Sequence, residues 1–189
     1  MPLSSLSSPA RRLVALALLP LVGTAALVAA APTAQAVDAS SPIVISEVYG
    51  GGGNSGATYT NDFIELYNKG NTDIDLSAWS VQYASATGAT YARTNLSGIV
   101  AANSYYLIQE AAGAGGTTPL PAPGATGNIA MSGTAGKVAL VKNQTNLACG
   151  TDCDSATIVA DFVGYGATAN DYAGSGPAPA PSNTTSDQR

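Results

Sequence analysis

Apolar and polar positions alternate through Ile43–Tyr49 (IVISEVY) and again through Phe63–Tyr67, inside the stretch DFIELYN. A period of two is that of a β-strand with one face turned to a core. In the second stretch Ile64 and Leu66 share one face and Phe63, Glu65 and Tyr67 the other. Strict alternation in the first sets Ile43, Ile45, Glu47 and Tyr49 against Val44, Ser46 and Val48. Further along, WSVQYA places Trp79, Val81 and Tyr83 together, and SYYLIQE sets Tyr105 and Leu107 against Tyr106 and Ile108. Tyr91–Leu96 reads as a short strand, and KVALVKN and TIVADFVGYG as longer ones. Roughly seven or eight short strands, turn signals such as Asn68-Lys69-Gly70-Asn71, and no sustained helical period predict a single all-β domain, a two-sheet sandwich. Its core is expected to join Trp79, the Ile64/Leu66 face and the Val138/Leu140 face.

Three stretches break the pattern. Gly50–Gly56 is read as a flexible glycine loop at one end of the sandwich. It lacks the following helix and the lysine that a phosphate cradle requires. Ala111–Gly127, rich in Gly, Ala, Thr and Pro, is the longest irregular segment, and Gly127–Ser132 is a short strand or turn anchored by Ile129 and Met131. From residue 169 on, and clearly from Ala173, the Pro/Ala/Ser-rich sequence reads as an unpacked linker or tail. The sandwich is therefore expected to occupy residues 37–168.

Residues 1–36 carry the marks of an export signal. Arg11 and Arg12 precede an apolar run from Leu13 to Ala31, and Ala34-Gln35-Ala36 supplies the small-x-small pattern a signal peptidase accepts. Cleavage is expected between Ala36 and Val37, leaving no membrane span and a secreted chain. Loss of the two arginines takes the net charge from −5 to −7, because residues 1–36 hold no other charged side chain. The remaining cations, Lys69, Arg93, Lys137, Lys142 and Arg189, form no basic run, so nothing here supports binding nucleic acid through phosphates. Export changes the reading of the two cysteines as well. Cys149 and Cys153 flank Gly150-Thr151-Asp152 and are expected to form a disulfide if that segment turns, as a local clip.

Candidate chemistry is sparse. Histidine is absent, which removes Ser-His and Cys-His nucleophile pairs and His-ligated zinc. Glu47 and Glu65 form the one carboxylate pair on strands expected to be close, and a glycosidase would need two carboxylates about 5–10 Å apart across an open cleft. The ordinary alternative is that both accept hydrogen bonds within the sheet. Asn54, Asn61, Asp62, Asp73, Asp75, Asp152, Asp154, Asp161, Asn170 and Asp171 are scattered oxygen donors without a calcium-loop spacing, so calcium is a minor option and no cofactor is expected. Nine tyrosines against two Phe and one Trp suit a recognition face. Tyr49, Tyr59, Tyr91, Tyr106, Tyr165 and Tyr172 are the candidates, equally readable as fillers of a β surface.

Taken together, Ile45-Ser46-Glu47-Val48, Asp62–Asn68 and Asp75-Leu76-Ser77-Ala78-Trp79 resemble the lamin tail domain family, an immunoglobulin-like β-sandwich. Ala102–Leu107 and Gly136–Val141 extend the match, so it runs from about Ile43 to Gly166. Ala78 departs from the family, which usually has Gly there. The resemblance implies a non-catalytic binding, adhesion or targeting module of secreted bacterial proteins, often placed beside an extracellular nuclease or another secreted hydrolase. The implied partner is an extracellular or cell-surface ligand. Two alternatives stand beside it: the amino-terminal accessory part of a truncated extracellular nuclease, and a hydrolase using Glu47 and Glu65.

Overall fold

The computed structural model describes residues 38–189; the expected export signal and its expected cleavage point between Ala36 and Val37 lie outside the described residues. The chain runs through β1 (Ile43–Tyr49), β2 (Asn61–Asn68), β3 (Ile74–Asp75), β4 (Ser80–Ser85), β5 (Ala92–Asn95) and β6 (Ile99–Val100). It continues through β7 (Tyr105–Ala112), β8 (Ala125–Thr126), β9 (Gly136–Val141), β10 (Val159–Tyr165) and β11 (Asp187–Gln188), with no helix among the described residues. The larger sheet has the order β11-β1-β2-β7-β8, the smaller β10-β9-β4-β5, and β3 and β6 form a separate ribbon. All neighbours are antiparallel except β7 and β8. This is the all-β sandwich that the alternation predicts.

Inward faces of both sheets meet in one core. Ile43, Ile45, Val48, Ile64, Leu66, Tyr106 and Ile108 come from the larger sheet and Val81, Tyr83, Val138, Leu140 and Tyr165 from the smaller. Full burial of such side chains contributes about 1.5–3 kcal/mol each. Trp79 differs from expectation: it is half-buried at the rim, packed against the core rather than within it. The reason is local. Trp79 N–H closes a turn onto the Leu76 carbonyl, so β4 begins only at Ser80 and Leu76 takes the inner position. Ala78 sits in this turn without a positive φ, so the missing glycine brings no backbone strain there.

In the smaller sheet β4, β9 and β10 are covered on the second face too, while the edge strand β5 is exposed at three of its four residues. Every residue of β9 and β10 is buried, the reading expected of strands packed on both sides. Residues 142–158 cross that face and bury Leu147 and Cys153 against Tyr91, Ala139, Val141, Val159 and Phe162. Polar groups fasten this cover: Ser80 Oγ donates to the Asn143 carbonyl (2.7 Å), and Gln82 donates to Thr145 O (2.8 Å) and accepts from Leu147 N (2.9 Å). Cys149 and Cys153 are joined in a disulfide within the cover, as their spacing predicts.

Three expectations are corrected. In β1 strict alternation fails: Ile45 pairs with Leu66 and Glu47 with Glu65, leaving Ser46 as the extra residue of a β-bulge. The bulge turns Val48 inward and Glu47 and Tyr49 outward. The glycine loop is packed rather than flexible. Gly52 N–H donates to Asp62 Oδ1 (2.9 Å), and Gly53, at φ +68°, lies so near Gly113 that an added Cβ would sit 2.1 Å from its nitrogen.

Nor are residues 169–189 an unpacked linker. Asp187–Gln188 pair with β1 as its outer neighbour, Tyr165 bridges Ala178, and the Arg189 guanidinium reaches the buried Asp161 at 3.1 Å. The attachments are mostly polar and backbone-mediated, which apolar periodicity does not register.

Candidate functional site

The outer face of β1-β2-β7 is left uncovered over part of its length, and rows of paired residues cross it. The row Val44–Tyr67–Tyr105 lies at one end, Glu47–Glu65–Leu107 in the middle, and Tyr49–Phe63–Gln109 at the other, with Gln188 extending the middle row on β11. At the first end the Tyr67 and Tyr105 rings lie with centroids 4.7 Å apart, and Tyr105 is 63% exposed. At the other end Tyr49, Tyr59 and Phe63 form an aromatic cluster with centroids 5.2–5.7 Å apart. The Tyr49 hydroxyl donates to the Asn183 carbonyl, so the carboxy-terminal segment closes that end.

Glu47 and Glu65 are brought together as the sequence suggested, directly opposite each other on neighbouring strands and half-buried. The bulge is what achieves this, since strict alternation would have pointed Glu47 into the core. Ser46, the bulged residue, donates its hydroxyl to Glu65 Oε1 at 2.9 Å. A groove of about 170 Å³ opens over the pair, walled by Tyr59, Phe63, Leu107, Leu120 and Pro121. The last two residues belong to the long irregular segment, which is tied to the glycine loop by the Gly115 N–H bond to the Gly53 carbonyl (2.7 Å) and to the Thr58 carbonyl beyond it by Thr117 and Thr118 N–H bonds (3.2 and 3.0 Å).

Other candidates have structural roles. Asp62 is buried and accepts from Gly52 N and Met131 N, joining the glycine loop to the Ile129–Met131 stretch. Its carboxyl is pushed up to about 6, chiefly by burial. Glu110, likewise raised by burial, accepts from Ile129 N at 2.9 Å. These two carboxylates explain why the Gly127–Ser132 stretch is anchored without being a strand. Asp75 accepts from Ser77 N within its own turn, and Asp73 accepts from Ala102 N, tying two distant loops together. Asp154 lies beside Asp171 under the disulfide cover, and burial, then Asp171, raise it to about 6. Lys137, whose pKa burial lowers, donates to Gly88 O and Asn170 Oδ1. Among the described residues no three Cys, Asp or Glu side chains converge as a metal set.

The tyrosines divide sharply. Tyr49, Tyr91, Tyr106 and Tyr165 are buried, and Tyr59 and Tyr172 are half-buried. Tyr105, the exposed one, was absent from the sequence-based candidates although alternation in SYYLIQE already placed it opposite the buried Tyr106.

Such an all-β sandwich of two open sheets defines an immunoglobulin-like module. The family model of the lamin tail domain matches residues 36–166, well over half of the chain, and the chain belongs to that family. No curated protein matches it.

Proposed function

We propose that this chain is an exported, non-catalytic binding module that recognises an extracellular or cell-surface ligand with the outer face of β1-β2-β7. The observation that carries this reading is the asymmetry between the sheets. β9 and β10 of the smaller sheet are buried on both sides, whereas the larger presents an exposed Tyr105, its partner Tyr67 and a walled groove. Rigid aromatic side chains give contact area at low entropic cost, which suits a recognition surface. A catalytic role for Glu47 and Glu65 fits poorly: the groove, at about 170 Å³, falls below the roughly 300–1,000 Å³ of ordinary ligand pockets. The module works outside the cell, alone or beside a secreted hydrolase.

The test is capture of ligand from cell-surface material by the purified chain and by Tyr67→Ala and Tyr105→Ala variants. Loss of specific capture in the variants, with unchanged melting, is the expected result. Undiminished capture would place recognition elsewhere, and turnover of DNA, RNA or polysaccharide by the purified chain would overturn the non-catalytic reading.

A further inference from the structure

We propose that the Glu47–Glu65 groove seats the cationic end of a lysine or arginine side chain from a basic protein segment. This rests on the reading of the outer sheet face as the recognition face, and names the chemistry of what it takes.

Like charges placed directly opposite each other across a strand pair oppose folding. Here the β1 bulge sets two carboxylates in that relation, and Ser46 fixes one of them. Neither is neutralised from within: the ion pairs among the described residues are Lys142–Asp38 and Arg189–Asp161. A bound cation converts the repulsion into two attractions, so the pair is complementary to an incoming positive charge. The net negative charge, −5 for the full sequence, steers cations toward the chain in general, and the groove supplies the particular place.

Shape narrows the occupant. About 170 Å³ is too small for a typical small-molecule ligand and suits one side chain entering end-on. Leu107, Leu120 and Pro121 provide apolar wall for the methylene stem, which lysine and arginine bury while the charged head finds its partners. The Tyr59 and Phe63 rings, edge to face at 5.7 Å, add aromatic surface that attracts a cation where a ring face is presented. Calcium would want six to eight oxygens, this groove offers two carboxylates, and no third Cys, Asp or Glu among the described residues joins them as a metal set.

The test uses the purified chain and acetyl-lysine amide, acetyl-arginine amide and a lysine-rich decapeptide, followed by NMR shifts at low salt. Acetyl-norleucine amide, which keeps an apolar stem without the charge, is the control. Saturable binding of the cationic probes, with shifts centred on Glu47, Glu65, Tyr59 and Leu120, is expected. Glu47→Gln and Glu65→Gln keep the groove's shape, and each should weaken binding at least about tenfold, one close opposite charge being lost. Both variants should melt no lower than the parent, since they relieve repulsion. Tyr105→Ala, outside the groove, should leave probe binding unchanged. No saturable binding, equal binding of the norleucine control, or retention in the Glu47→Gln/Glu65→Gln double variant would overturn the proposal. If Tyr105→Ala abolishes capture of cell-surface ligand while no cationic probe binds, the recognition face stands and the cation site falls. If the probes bind through both glutamates while capture is indifferent to Tyr67 and Tyr105, the cation site stands and the wider recognition face falls.

Discussion

Replacing Asp161 by alanine should be among the most damaging single changes in this domain. Asp161 is 1% exposed and stands where β10 of one sheet meets β1 of the other. Its Oδ2 accepts the Ile45 N–H at 2.7 Å, and its Oδ1 accepts the Phe162 N–H at 3.0 Å and the Arg189 guanidinium at 3.1 Å. Ile45 is itself fully buried, so the variant leaves an amide N–H without a partner in the core. A hydrogen bond to a charged group is worth about 1.5–3 kcal/mol, and an orphaned buried donor costs about 1–3 kcal/mol. The expected loss for Asp161→Ala is therefore about 3–5 kcal/mol. Arg189→Ala removes only the partly exposed end of the pair, whose side chain is 40% exposed, and should cost about 1–2 kcal/mol. Urea denaturation of both variants and the double variant measures the asymmetry and the coupling. A loss under about 1 kcal/mol for Asp161→Ala, or equal losses for the two single variants, would refute the idea that this carboxylate holds the seam.

Leu66→Ala, at a fully buried position facing the opposite sheet, should lower stability by about 2–5 kcal/mol in chemical denaturation, and a loss below about 0.5 kcal/mol would contradict its place in the core. Reducing Cys149–Cys153 should cost about 2 kcal/mol or less, because the closed loop is short, and intact mass before and after reduction should differ by two hydrogens. Deleting residues 182–189 should lower the denaturation midpoint, since it strips β11 from β1 and removes the Asn183 and Arg189 contacts; an unchanged midpoint would restore the linker reading. Stability should fall as pH rises from about 4 to about 6. Burial raises Asp62 from 3.8 to about 6, so over that window the folded chain holds protons that the unfolded chain has released. Asp154, also raised to about 6, acts in the same direction, and Asp62→Asn should flatten the profile if Asp62 dominates it.

What the sequence disclosed depended on where side chains alone determine position. In β2 the alternation runs unbroken, so Ile64 and Leu66 were legible as core residues and Glu65 as outward. In β1 the same reading grouped Glu47 with Ile43 and Ile45, which the structure buries. A bulge is a property of two strands in register, and nothing in ISEV by itself announces that Ser46 has no partner. Hydrophobicity suggested Trp79 for the centre, yet the turn after Leu76 uses up that position before the strand begins. Composition marked both the glycine loop and the carboxy-terminal segment as loose. Gly53 is instead the residue that lets two backbones touch, and Asn183 and Arg189 fasten the tail with a few long-range polar contacts. Contacts of that kind carry no periodicity and become visible only in three dimensions.

The placement of the candidate site follows from how the two sheets deal with their outer faces. A sheet face that is to be covered needs apolar residues on both sides of its strands, and β9 meets that demand with Val138 and Leu140 inward and Ala139 and Val141 outward. The cover also has to satisfy its own backbone, which is why Ser80 and Gln82, buried polar residues of β4, reach up to residues 143–147. On β2 the outward positions are Phe63, Glu65 and Tyr67, and on β7 they are Tyr105, Leu107 and Gln109. A carboxylate at the centre of this face, opposite a second one, resists being sealed under an apolar cover, because the buried charges would lack cationic partners. The pair that makes the face unsuitable for a lid is thus the pair that keeps it accessible to a ligand bringing its own positive charge.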